Sequence, residues 1–135
     1  VIGALTPSGD IDLPVCRRLV ERAEGMNVTF HRAFDVCRSP FEALEQIIGL
    51  GCSRLLTSGQ APTAEQGIPM LRELVRRAGE RIVVMPGAGV NPANAARITR
   101  ETEAVEIHSS ARRIQPNGRL ETDAAVVRHI ITNLQ

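Results

Sequence analysis

The chain has no lysine, no tyrosine and no tryptophan, and only three phenylalanines among its 135 residues. Schiff-base catalysis requires a lysine amine and a P-loop requires a lysine on the nucleotide phosphates, so this segment supplies neither. All 16 basic residues are arginines, set against 15 acids for a net charge of +1, and they are spread among the acids without a basic block. That distribution argues against nucleic acid as a partner. No apolar run approaches the roughly 20 residues of a membrane span, so a membrane partner is not expected either. The three cysteines, Cys16, Cys37 and Cys52, include no Cys-x-x-Cys pair, which excludes a zinc knuckle or a dithiol redox motif. A hydrophobic fraction of 43% is enough for a core at this size, as in a soluble domain.

What is present is one unit repeated. Residues 1–5 read as a strand, and Val15, Leu19, Val20 and Ala23 fall at helical spacing over 14–23. A strand over 28–34 precedes Ser39-Pro40-Phe41-Glu42, a capping box with proline in the first turn. The helix behind it turns Leu44, Ile47 and Ile48 inward and stops at Gly51. A strand over 54–57 leads to a second box, Thr63-Ala64-Glu65-Gln66, and a helix interrupted at 67–69 that resumes through Leu71, Leu74, Val75 and Ala78. A strand over 82–85 is followed by Asn91-Pro92 and a helix through Ile98. The last strand, 104–108, runs into an irregular stretch and a helix capped by Thr122 that carries Ala125, Val126, Ile130 and Ile131. Five successive βα units predict an α/β fold with a parallel sheet and right-handed crossovers.

A closed (βα)8 barrel takes about 200 residues or more, and this chain opens without Met directly in a strand. The expectation is a C-terminal part of a longer protein that lacks its first strands, marginal as a monomer and self-associating through exposed sheet edges. The alternative is a small open α/β domain, complete as it stands.

The polar groups gather at strand ends. In a strand the side-chain period is two, so Val28 and Phe30 take one face while Thr29 and His31 take the other. In the same way Val105 and Ile107 oppose Glu106 and His108. With the apolar set against helices, the polar sets point to the middle. With Leu56 toward the helices, Thr57 points inward beside Ser58. Arg32 is a candidate anion partner, and Asp35 or Glu106 orients or tunes a histidine acting as general acid or base. Arg32 with Asp35 reads equally as an internal ion pair fixing the loop. Gly87 and Gly89, two residues apart at the entry to a helix, allow backbone amides to approach a phosphate, with Ser109 and Ser110 beside them on the next strand end. The dinucleotide fingerprint fails where Pro92 stands. Cys16 and Cys52 read as small buried hydrophobes. Cys37, two residues past Asp35 in a strand-end loop, is the one cysteine placed to meet a soft metal such as Cu(I).

Taken in order, Thr29-Phe30-His31-Arg32-Ala33-Phe34-Asp35, Leu56-Thr57-Ser58-Gly59-Gln60, Gly87-Ala88-Gly89-Val90 and Glu106-Ile107-His108-Ser109-Ser110-Ala111 resemble the CutC copper homeostasis family. The likeness runs from Leu5-Thr6-Pro7-Ser8-Gly9-Asp10-Ile11-Asp12 to Ala111. It implies a TIM barrel of roughly twice this length, with these five strands as its fourth to eighth, and a cytoplasmic protein associated with copper tolerance and Cu(I) binding. Two functions are therefore expected to compete. One is copper binding or handling, with copper as the metal. The other is a barrel enzyme acting on a small anionic or phosphorylated molecule.

Overall fold

The computed structural model describes residues 1–116 and 118–135. In chain order the elements are α1 (Leu13–Arg22), β1 (Thr29–Phe30), a 3-10 turn (Arg32–Val36), α2 (Pro40–Gly49), β2 (Arg54–Thr57), α3 (Ile68–Ala78), β3 (Val83–Pro86), α4 (Ala95–Thr102), β4 (Arg112–Ile114), β5 (Leu120–Thr122) and α5 (Ala124–Leu134). The strands β1, β2 and β3 form a parallel sheet in that order, with Thr29 opposite Arg54 and Arg54 opposite Val83. A βα repeat can meet only this way, because parallel neighbours require a crossover, here a helix.

Phe30, Leu55 and Val84 alternate onto the helix-covered face and are buried with Leu44, Ile47, Leu71, Leu74 and Ile98. Each such side chain contributes about 1.5–3 kcal/mol of transfer free energy on burial. Local chemistry sets the helix entries. Asp12 accepts a hydrogen bond from the Val15 amide ahead of Pro14, and Asp123 accepts from Ala125 and Val126. Asp123, not Thr122, therefore caps α5; the Thr122 hydroxyl instead donates to the Ser110 carbonyl. Ser39 makes no capping bond, and Thr63 closes a turn ahead of α3 by accepting from the Gln66 amide.

Five full parallel units are not what the chain forms. Its first strand is reduced to a single parallel bridge, Ile2 with Phe30, and residues 104–108 hold to β3 through one bond, His108 N–H to the Pro86 carbonyl at 2.8 Å. The strand expected over 28–34 stops at Phe30. The His31 side chain accepts from the Ala33 amide at 3.1 Å, and this local bond turns the backbone away from the ladder. Apolar faces at the two ends of the sheet are left uncovered: Val15 and Leu19 on α1, Val105 (83% exposed) and Ile131 on α5 are open to solvent. Beneath Val105 a cavity of about 410 Å³, lined by Val75, Ala78, Ile82, Val84 and Ala104, separates the last segment from the lower end of β3. The stretch expected to be irregular contains the β4–β5 hairpin, with Ile114 opposite Leu120 and solvent on both faces.

Candidate functional site

The face of the sheet opposite the helices carries Thr29, Arg54, Leu56, Val83 and Met85, in register across β1, β2 and β3. The expected phase of β2 is thereby corrected. Leu55 and Thr57 lie on the buried helix side, and Leu56 faces the open side, where it lines a cavity with His108. A two-residue period fixes which residues share a face but not which face is covered.

At the C-terminal ends of the strands lies a cavity of about 210 Å³, lined by Arg32, Leu56, Ala88, Gly89, Val90, His108, Ser109 and Ser110. Arg32 comes from the 3-10 turn after β1, the glycine loop follows β3, and His108 ends the segment beside β3. Arg32 is pinned from below, its Nε donating to Asp35 Oδ2 at 2.6 Å and its Nη2 to Ser58 Oγ at 3.3 Å. The carboxylate doing this is itself nearly buried. Asp35 accepts from Thr57 Oγ1 at 2.5 Å and from the amides of Ser58 (3.0 Å) and Gln60 (3.3 Å). Thr57 thus supports the mouth from underneath instead of lining it.

The glycine loop presents its backbone. Ala88 and Gly89 both take positive φ, +83° and +72°. The N–H groups of Ala88, Gly89 and Ser110 donate no hydrogen bond among the described residues. Gly87 is committed, its amide donating to the Thr57 carbonyl at 2.9 Å. Ser109 is committed as well: its hydroxyl donates to the Val90 carbonyl at 2.6 Å and accepts from the Ala111 amide. Ser110 is exposed at the rim. The exposed His108 ring has no hydrogen-bond partner among the described residues.

Three further expected members stand apart from the cavity lining: Thr29, Glu106 and His31, which caps the turn carrying Arg32. Thr29 lies lower on the open face, opposite Arg54. Glu106 does not reach a histidine; it forms a two-pronged ion pair with Arg54, at 2.6 Å and 2.9 Å. The Arg54 hydrogen bond holds the Glu106 carboxyl below the ordinary carboxylate range. Sequence alone does not single out Arg54, which reads there as a charged flank of an apolar strand; the structure shows that it reaches past Val83 to the next segment.

Cys37 is buried, 6% exposed, and burial pushes its thiol pKa up. Its carbonyl and sulfur both receive the Gln60 amide, at 2.8 Å and 3.4 Å. Cys16 and Cys52 are buried free thiols, and Cys52 is raised to about 11 by burial. Among the described residues no three His, Cys, Asp or Glu side chains stand close enough to hold a metal ion together. No described helix is long and apolar enough to cross a membrane.

Comparison with known proteins places this geometry among relatives. The sequence model described as the CutC family matches residues 1–113. The family protein CutC of Parabacteroides distasonis is 59% identical over 114 residues, 84% of this chain and 47% of that protein. That of Vibrio campbellii is 49% identical over 119 residues, 87% of this chain and 48% of that protein. The crystal structure of the candidate copper homeostasis protein CutC from Streptococcus agalactiae has a TM-score of 0.75 at 31% identity, covering 79% of this chain and 53% of that one. The chain spans about half the length of the curated relatives it matches.

Proposed function

The chain belongs to the CutC family, with a TIM-barrel-like α/β fold, and from that premise we propose that it carries the mouth of a barrel enzyme acting on a small anionic or phosphorylated substrate. The observation that carries this reading is the convergence of uncommitted amides at Ala88, Gly89 and Ser110 with the Arg32 guanidinium around one cavity. Successive N–H groups in a positive-φ turn form an anion-binding concavity, and a pre-oriented guanidinium matches two oxygens of a phosphate or carboxylate. Ser110 Oγ adds a donor at the rim. His108, free of a partner, is the group available to move a proton on the substrate bound there.

The test is an amide-resolved NMR titration with inorganic phosphate. The amides of Ala88, Gly89 and Ser110 and the Arg32 Nε–H are expected to shift together and saturate. In Gly89→Val the response should vanish, since a β-branched residue is an outlier at the +72° φ this turn requires. A silent wild-type loop, or an unchanged response in Gly89→Val, defeats the reading.

Copper handling is the second reading, favoured by the copper homeostasis name of the streptococcal relative. The thiol nearest the mouth does not suit it. Cu(I) takes thiolate, and Cys37 is buried, pushed toward the thiol form, and among the described residues belongs to no cluster of three His, Cys, Asp or Glu side chains. Competition against a Cu(I) chelator under reducing conditions is expected to give the same affinity for the parent protein and Cys37→Ser. A clear loss in Cys37→Ser would restore a cysteine centre. For placement, we read these units as the fourth to eighth of the barrel, and the half-length match to the relatives fits a partial barrel. Three reduced, buried cysteines support a cytoplasmic setting.

A further inference from the structure

We propose that His31 is a positioning residue and not the proton carrier of the mouth, its imidazole serving as the cap that holds the Arg32–Val36 turn and so presents Arg32 to the anion. This rests on reading the mouth as an anion site. His31 is absent from the cavity lining, whereas His108 and Arg32 are part of it. Its Nδ1 accepts from the Ala33 amide at 3.1 Å, which commits that lone pair to the backbone and leaves only Nε2, packed against Gly3 and away from the cavity lining. The rest of the residue is equally fixed. The His31 amide donates to the Ile2 carbonyl at 2.8 Å, and the ring lies 6.0 Å from the Phe30 ring, centroid to centroid. Gly3 is packed so closely that a Cβ there would overlap the imidazole Cε1 and Nδ1.

From this cap a chain of contacts leads to the mouth. The capped turn carries Arg32 at its first position and Asp35 three residues on. Asp35 then fixes the Arg32 guanidinium from below while gripping the loop of residues 57–60. Losing the cap frees the Ala33 amide and loosens both ends of the Arg32–Asp35 pair. A side-chain acceptor at an N-cap is the service that Asn, Asp or Ser performs in other helices, and the Oδ1 of Asn stands where the Nδ1 of His stands. The imidazole is thus replaceable by an amide that has no acid–base chemistry.

The experiment measures inorganic phosphate affinity by NMR in His31→Asn, His31→Phe and Gly3→Ala. Gly3→Ala displaces the ring without altering the imidazole itself. His31→Asn is expected to bind within about twofold of the parent, and the other two about fivefold or more weaker, the scale of a lost cap. Asn binding as poorly as Phe would show that the imidazole chemistry itself is required and would overturn the inference, as would full binding in His31→Phe. If the parent protein fails to bind phosphate, the anion reading fails by itself. The cap is then judged by the Ala33 amide and Arg32 Nε–H resonances, which should move in His31→Phe and Gly3→Ala and stay native in His31→Asn. Native resonances in His31→Phe would overturn it.

Discussion

Asp35 is the residue through which the mouth is built: Arg32, Thr57, Ser58 and Gln60 all donate to its two oxygens. Removing the Thr57 hydroxyl leaves Asp35 Oδ1 with the Ser58 and Gln60 amides and leaves the buried Gly59 amide without its acceptor, and a buried polar group stripped of its partner costs about 1–3 kcal/mol. Thr57→Val keeps shape and volume while deleting the hydroxyl, which also receives the Gly59 amide at 2.9 Å. The expected outcome is a urea midpoint lowered by that amount of stability, followed by circular dichroism because the chain has no Trp or Tyr. An unchanged midpoint would show that the Thr57 hydroxyl is not part of the support. At this scale the sequence was legible in kind. His31, Arg32 and Asp35 stand together after an apolar strand, and their clustering marked the place. Their division of labour was not legible, because whether an imidazole accepts from its own backbone or faces a cavity depends on a dihedral that no spacing encodes.

Among the elements, the segment 104–108 is joined to the sheet by few bonds and carries His108. One backbone bond and the Arg54–Glu106 pair tie it to the sheet, while the Ala104 amide donates to Thr102 Oγ1 and Ile107 packs against the core. The Glu106 pKa is lowered by its Arg54 hydrogen bond. Its contribution to stability is therefore fully present above the unfolded carboxyl value and is lost as pH falls through the lower, folded value. Acidification through that window should release the segment before the sheet melts. It is expected to appear as faster hydrogen exchange at the His108 amide while Leu55 and Val84 stay protected. Loss of protection at all three amides together would show that the pair contributes nothing separable. The helices were legible because a 3.6-residue period with Gly and Pro punctuation is a strong signal. Two things were not. The β4–β5 hairpin buries neither face, so it has no apolar alternation to betray it. The outer strands read as full strands because alternation in sequence describes a face and not the neighbour it needs.

For the molecule as a whole, the helices cover one face of the sheet, while the other face carries the ion pair of Arg54 and Glu106, about one third exposed at each side chain. Elsewhere the surface is laced with similar pairs, such as Glu73 with Arg76 and Arg77 or Glu45 with Arg81, on a chain of net charge +1. Most of these join residues whose helices are already anchored by apolar packing. The pair on the open face is different, because it links a well-packed strand to a segment that meets the sheet through one backbone bond. Its consequence is a dependence on ionic strength localised in one part of the protein. Screening lengths fall from about 10 Å at 0.1 M salt to about 3 Å at 1 M. Added electrolyte therefore weakens the tether of His108 while leaving the apolar core untouched. Anions that gather at Arg32 on the rim at high salt would meet a histidine already loosened from its place.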